Sequence, residues 1–215
     1  MAVYDLEEQE QISQIKAWWE QYGKLVTAVA VAAAVASVGW QGFNWYRDKQ
    51  AAEAGTLFFA VQQASEAGDA GKAREAAGRL IEQFPRTAYA QMGALLSASA
   101  QFEAGDSRNA RAHLEWLAVN GRDALLQDLA RLRLATILLD EGDYAAALAQ
   151  LDKAPAASLT ARFEDLRGDV HAMQGEHERA RAAYRAALDA LAAQGAEAAA
   201  GLGEVIRIKL EALEA

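Results

Sequence analysis

The sequence contains no cysteine and only two prolines among its 215 residues. Without cysteine the chain has neither a disulfide framework nor a thiolate nucleophile, and it cannot carry a lipoprotein anchor on an acylated cysteine. Scarce proline and abundant alanine favour helices, and no run of alternating β-branched residues indicates a strand. The sequence therefore predicts an all-α protein.

Recognisable catalytic chemistry is also missing. The three histidines stand outside any HExxH arrangement, and no GxGxxG, Walker or GxSxG motif occurs. Carboxylate pairs such as Asp140/Glu141 fit solvated helix ends, without the apolar pocket that a general acid needs. We therefore predict a non-enzyme without catalytic, cofactor-binding or metal-binding residues. The net charge of −9 disfavours nucleic acid as a partner.

One uncharged stretch, residues 25–46, lies between Lys24 and Arg47 and reads LVTAVAVAAAVASVGWQGFNWY. As a helix it is about 33 Å long, enough to cross a hydrocarbon core of about 30 Å. Aromatic residues flank both ends, as expected at the two water–lipid boundaries. We predict a transmembrane helix in the lipid bilayer. The alternatives are a buried alanine-rich helix and a cleaved signal peptide, and the acidic tail before the stretch fits the latter poorly.

Small residues recur within this span at intervals typical of close helix–helix packing. We predict that they form a packing face for another transmembrane helix: Ala32, Ala36, Gly39 and Gly42. Residues 1–24 precede the span as an amphipathic tail. Basic residues are balanced on the two sides of the span, two before it and two after it. The charge pattern alone therefore leaves the topology open.

Four Gly-acid pairs punctuate the rest of the chain at intervals of 37, 37 and 33 residues: Gly68-Asp69, Gly105-Asp106, Gly142-Asp143 and Gly175-Glu176. Glycine suits a helix C-terminus and the following acidic residue can cap the next helix. Four helix–turn–helix units at this period indicate a solenoid.

The small-and-large spacing within the units is that of tetratricopeptide repeats, in which small residues let two helices approach closely. In the fourth unit it falls on Gly168, Gly175, Ala180, Tyr184 and Ala187. In the third it falls on Ala135, Gly142, Ala147, Leu151 and Ala154. We predict tetratricopeptide-like repeats over residues 47–195 and a C-terminal capping helix over residues 196–215. The apolar stripe of that cap would contain Leu202, Val205, Ile206, Leu210 and Leu213.

The first helix of each pair lines the concave side of such a solenoid. This register predicts an apolar surface in the second and third units that binds clients or partners, formed by Met92, Leu95, Phe102, Leu129, Leu132 and Leu139. The alternative is that these side chains form interhelical core. The fourth unit would instead present Arg162, Asp165 and Asp169. A surface that begins apolar and ends charged would suit extended, partly hydrophobic polypeptide.

The order of several segments resembles one known family. These are IKAWWEQYGK before the span, GWQGFNWYRDKQ at its end, ARLRLATILLDEGDYAAALAQLD and FEDLRGDVHAMQGEHERARAAY in the repeats, and IRIKLEAL near the C-terminus. Together they resemble the ancillary subunits of the SecYEG translocon of Gram-negative bacteria, the YfgM-like proteins. The resemblance runs nearly end to end.

This resemblance implies a single-pass protein of the bacterial inner membrane, with its N-terminus in the cytoplasm and its repeats in the periplasm. It implies binding to the SecYEG translocon and to a membrane-anchored periplasmic peptidyl-prolyl isomerase chaperone. It also implies transfer of unfolded secretory polypeptides to periplasmic chaperones. The competing hypothesis is a membrane-anchored tetratricopeptide scaffold for an envelope or division complex.

Overall fold

A computed structural model describes residues 3–195 and 201–213, with side chains from residue 10 onward. The described residues are helical, without a strand, which confirms the predicted fold class. The chain divides into two units, Met1–Ala51 and Ala52–Ala215. The first helix, α1, spans Val3–Glu66 and contributes to both. The predicted boundaries at residues 24/25 and 46/47 fall inside this continuous helix and stay predictions.

The remaining helices follow α1 as antiparallel pairs with short connections. Their bounds are α2 Ala70–Gln83, α3 Ala88–Glu103, α4 Ser107–Asn120, α5 Ala124–Asp140, α6 Tyr144–Leu151, α7 Thr160–Met173, α8 His177–Gln194 and α9 Leu202–Ala212. A short 3₁₀ turn, Ala157–Leu159, precedes α7. Helices α1/α2, α3/α4, α5/α6 and α7/α8 form the four repeats, in which only the end of α1 takes part.

Each repeat turns at a glycine of positive φ: Gly68 (69°), Gly105 (79°), Gly142 (77°) and Gly175 (75°). At Gly105 the amide of the next residue, Asp106, donates to the carbonyl of Gln101 at 2.8 Å, and the Gly105 amide donates to Phe102 at 2.9 Å. These two bonds form a Schellman motif, which satisfies carbonyls at the helix end. The Asp106 carboxylate then accepts from the Asn109 amide at 3.2 Å and caps α4. The predicted glycine turns are confirmed at all four positions. Asp69, Asp106 and Asp143 cap the helices that follow them, whereas the Glu176 side chain makes no capping hydrogen bond.

The small positions of the repeats are buried between paired helices. Ala180 and Ala187 are fully buried, and a Cβ added at Gly168 would lie 2.4 Å from the Tyr184 ring. Alanine or glycine is therefore needed where α7 and α8 approach each other. Three hydrophobic clusters follow one another along the chain, the first uniting α1, α2 and α3, the second running from α3 to α7, and the third joining α7 and α8 to α9. This succession of neighbour contacts is typical of a solenoid.

The third repeat departs from the predicted register. Helix α6 ends at Leu151 after eight residues, so Ala154 lies beyond the helix and is exposed rather than packed. Two side chains from other helices hold the connection that follows. The Asp128 carboxylate accepts from the Ala156 amide at 2.7 Å, and Arg167 donates to the Leu151 carbonyl at 2.6 Å. These bonds satisfy backbone groups that a longer helix would have paired internally.

Helix α9 packs on α8 as a terminal cap. Ile206 is fully buried, while Leu202, Leu210 and Leu213 are partly buried against the third cluster. Val205 was predicted to join this stripe, but its side chain is 48% exposed because it lies on the outer side of the helix. Residues 196–200 and 214–215 of the predicted cap lie outside the described residues.

Candidate functional site

The first helices of the second and third repeats, α3 and α5, border a groove of about 290 Å³. Its lining residues are Ala98, Ser99, Phe102 and Glu103 of α3, Leu114 of α4, and Arg133, Thr136 and Ile137 of α5. Ala98, Leu114 and Ile137 are buried and form an apolar floor. The groove therefore combines an apolar floor with one cation and one anion among its lining residues.

Phe102 lies near the C-terminal end of α3, three residues before the turn at Gly105. Its side chain is 42% exposed although it lines the groove. An aromatic ring held half in solvent at a groove edge can bury further area when a ligand binds. Among the predicted contact residues, Phe102 is thus the one whose ring lies at the groove, where a ligand could contact it.

Arg133 bridges the groove from α5 to α3. Its Nη1 donates to the Ser99 hydroxyl at 2.6 Å and to the Leu95 carbonyl at 3.4 Å. Partial burial of the guanidinium beside α3 lowers the pKa of Arg133, although the residue as a whole is exposed. Sequence patterns do not identify this residue, because an arginine amid the leucines of α5 carries no signal of the helix it faces.

The other predicted contact residues are distributed differently. Met92 is 36% exposed but does not line the groove. The remaining four, Leu95, Leu129, Leu132 and Leu139, are partly buried and pack against the second hydrophobic cluster. Of the six predicted residues, the groove contains Phe102 alone. Their roles in binding stay predictions.

The predicted charged end of the concave side is altered by the cap. Lys209 of α9 forms ion pairs with Asp165 and Asp169 of α7, both at 2.8 Å. Asp169 also accepts a hydrogen bond from the Tyr184 hydroxyl at 2.8 Å. The expectation that Asp165 and Asp169 are displayed for a ligand is therefore wrong, because Lys209 engages both carboxylates. Arg162 is exposed, as expected.

Burial and charge together set the protonation of this cluster. Burial raises the pKa of Asp165, and the nearby Lys209 only partly opposes that effect. Burial also disfavours the charge of Lys209, but its hydrogen bonds to Asp165 and Asp169 outweigh burial and raise the pKa of Lys209. Burial, followed by the bond to Asp169, raises the pKa of Tyr184. One lysine between two carboxylates thus fixes α9 to α7.

Helix α1 contains the one stretch in the described part of the chain that is long and apolar enough to cross a membrane. None of its apolar window is buried within the protein. The four predicted packing residues, Ala32, Ala36, Gly39 and Gly42, are all exposed. A Cβ added at Gly39 or Gly42 would meet no atom within 4 Å. Their role in helix packing stays a prediction.

The histidines take part in local contacts. His171 lies 2.8 Å from the Glu176 carboxylate, and His113 lies 3.2 Å from the Gln101 side-chain amide. Burial, together with the charge of Arg74, lowers the pKa of His113. Over residues 10–195 and 201–213, no three His, Asp or Glu side chains are grouped so as to hold a metal ion.

The fold and groove define a class of protein, a solenoid of helical pairs that follows a helix of membrane-spanning length. The chain belongs to the tetratricopeptide repeat-like domain family, whose pattern matches residues 16–215.

Similar proteins carry a shared description, "Ancillary SecYEG translocon subunit". The relative from Neisseria gonorrhoeae is 29% identical over 97% of this chain and 98% of its own length. The relative from Haemophilus influenzae is 29% identical over 86% of this chain and 90% of its own, and that from Aggregatibacter actinomycetemcomitans is 26% identical over the same shares. These likenesses confirm the resemblance predicted from the sequence. With the long apolar helix they indicate a membrane-anchored protein.

Proposed function

We propose that this chain is a membrane-anchored accessory subunit of the SecYEG translocon that binds polypeptides as they emerge. The observation that carries the proposal is the pairing, in one chain, of a helix of membrane-spanning length with a helical-repeat groove that contains an exposed phenylalanine. Relatives named as translocon subunits align with nearly the whole chain, so both features fall within the similarity. The role is one of protein binding, without catalysis.

The proposed topology places residues 1–24 in the cytoplasm and the repeats in the periplasm. Because the basic residues flanking the span are balanced, this orientation is supported by the family resemblance alone. The acidic repeats would then face the compartment into which secretory polypeptides emerge. There they would pass clients to periplasmic chaperones, among them a membrane-anchored peptidyl-prolyl isomerase chaperone.

Crosslinking in native membranes tests the partners. After mild detergent extraction, a tagged full-length chain is expected to recover translocon subunits, the isomerase chaperone and unfolded secretory polypeptides. The alternative function, a scaffold for an envelope or division complex, predicts a fixed set of envelope proteins without translocon subunits. Recovery of that set alone would reject the translocon proposal.

Protease accessibility tests the topology independently of partners. Protease added outside spheroplasts is expected to digest the repeats beyond about residue 50 and to spare a tag on the N-terminal tail, because the span of about 33 Å fills the bilayer. If the repeats resist protease until the membrane is opened, the orientation is opposite to the one proposed. That outcome would exclude a periplasmic role.

A further inference from the structure

Arg133 is a partly paired, solvent-exposed cation that lies beside the apolar floor of the groove. Its guanidinium bonds to a hydroxyl and a carbonyl through Nη1. Among the described residues no carboxylate lies within 4.0 Å of it, and neither Nη2 nor Nε makes a hydrogen bond. Neighbouring arginines differ, since Arg111 pairs with Glu141 at 2.6 Å and Arg131 pairs with Asp128. An arginine has five N–H donors in a planar fork, so donors of Arg133 remain for a ligand.

The space beside Arg133 suits a short piece of polypeptide. A volume of about 290 Å³ is just below the range for ligand pockets, which is about 300–1,000 Å³. Phe102, Ala98 and Ile137 offer apolar contacts next to the guanidinium. One apolar side chain and one small polar group fill such a space better than a cofactor would.

Charge complementarity indicates which polar group of the bound polypeptide would lie beside Arg133. The unpaired guanidinium favours a carboxylate, because bonds between charged partners are about twice as strong as neutral ones. Glu103 also lines the groove, yet it forms no ion pair with Arg133 within the described repeats. Its charge disfavours a run of acidic residues, which limits the ligand to a single carboxylate.

We propose that the groove between α3 and α5 binds one acidic side chain, together with an adjacent apolar side chain, from an internal segment of an extended polypeptide. Arg133 receives the carboxylate and Phe102 covers the apolar neighbour. This inference rests on the proposed function, because a chain emerging from a channel presents internal segments before its C-terminus.

Peptide binding to the full-length protein in detergent micelles tests the inference. The probes are two fluorescein-labelled, C-terminally amidated 12-residue peptides with the centre Leu-Leu-Asp-Leu or Leu-Leu-Asn-Leu, followed by fluorescence anisotropy. The Asp peptide is expected to bind about tenfold more tightly, a factor typical of a hydrogen bond to a charged group. Arg133→Gln should remove that difference, and Arg133→Lys should restore part of it.

Arg108→Gln provides the matched control, because Arg108 is an exposed arginine of α4 that does not line the groove. It should leave the preference for Asp intact. Circular dichroism melts of all variants check that folding is retained. Equal binding of both peptides to the parent protein would overturn the inference. So would tighter binding that requires a free C-terminal carboxylate and does not depend on Asp, since the ligand would then be a chain end.

Crosslinking separates this inference from the function on which it rests. If the parent recovers translocon subunits but binds both peptides alike, the inference fails alone. If Arg133 governs peptide binding but the parent recovers no translocon subunit, the proposed function fails and the groove chemistry stands.

Discussion

Gly168 shows how a single residue permits a repeat to form. Its Cα faces the Tyr184 ring so closely that an added Cβ would lie 2.4 Å from Cε1 and 2.5 Å from Cδ1. Tyr184 is buried and its hydroxyl donates to Asp169, so the ring has little room to move. Distances below about 3 Å force the helices or the ring to shift, which is the cost of overpacking a core.

We therefore expect Gly168→Ala to lower the free energy of unfolding by about 1–3 kcal/mol, despite the better helix propensity of alanine. Urea unfolding followed by circular dichroism measures the change. Gly78→Ala in α2 is the matched control, because a Cβ there meets no atom within 4 Å. It should be neutral or stabilise by up to about 1 kcal/mol. Equal effects of the two substitutions would contradict this role for Gly168.

Phe102 and Leu132 separate binding from stability. Phe102 is 42% exposed at the groove, whereas Leu132 packs partly buried against the second cluster. Phe102→Ser is expected to melt near the parent temperature and to lose capture of a chemically unfolded secretory protein. Leu132→Ser should melt lower, since truncating a core leucine costs about 2–5 kcal/mol and this one is only partly buried.

The double variant Phe102→Ser, Leu132→Ser completes the comparison. Thermal melts and pull-down of the unfolded client are measured on the same preparations. A double variant that retains both its melting temperature and its client binding would eliminate the groove as a client site. A melting temperature that falls with Phe102→Ser alone would assign that ring to the core instead.

The sequence predicts residues that act through local spacing better than residues that act between distant helices. Gly175 and Ala180 follow from the repeat period, because a turn and a helix pair are fixed within a few residues. Lys209 and Asp169 are 40 residues apart, and no periodic pattern relates them. The role of Arg133 is likewise not visible in the sequence, because it depends on α3 lying beside α5. Val205 was wrongly assigned to the buried stripe, because amphipathic spacing leaves the edge of the buried face undefined.

At the scale of elements, α9 closes the C-terminal end of the solenoid with both apolar and ionic contacts. Ile206 is buried on α8, and Lys209 pairs with two carboxylates of α7. An end repeat needs such a cover because its stacking face would otherwise be exposed. Because Lys209 loses its charge at alkaline pH, its ion pairs with α7 should weaken there and the packing of α9 should become less stable.

The direction in which stability changes with pH follows from the raised pKa values of Lys209 and Tyr184, whose ordinary values are 10.5 and 10.0. Both groups hold their protons more tightly in the folded than in the unfolded chain. Their stabilising contribution is complete below about pH 10 and is lost as pH rises through the raised values. We expect the free energy of unfolding, measured with urea between pH 8 and 11, to fall above about pH 10.

Lys209→Met serves as the control, because it keeps most of the aliphatic chain but removes the ammonium group. Its stability should fall less steeply with alkaline pH than that of the parent. The parent should also be more stable at pH 8, where Lys209 is charged and pairs with both carboxylates. Parallel pH profiles for the two proteins would show that Lys209 does not link α9 to the repeats.

At the scale of the whole molecule, the protein joins a membrane-length helix to a chain of neighbour-dependent repeats. The repeats acquire stability from successive hydrophobic clusters, whereas the apolar window of α1 is not buried within the protein. Lipid accounts for an exposed Ala- and Val-rich surface in general. It does not account for small residues at particular positions of that surface.

The span of α1 either only anchors the protein or also binds a partner within the membrane. Ala32, Ala36, Gly39 and Gly42 would let another helix approach closely, because association in lipid depends on backbone proximity and packing. Replacing residues 25–46 by 22 leucines should preserve membrane insertion, since polyleucine is more apolar than the native span. It should, however, reduce recovery of translocon subunits after crosslinking and detergent extraction.

The matched control is the same polyleucine span with those four small residues restored at their native positions. If they form the contact, restoring them should return most of the lost recovery, because the remaining positions contact only lipid. Full recovery with polyleucine would show a passive anchor. Reduced recovery that the four residues fail to restore would place the contact on another face of the helix. Carbonate extraction of each variant confirms insertion, so any change in recovery reports the packing of the span.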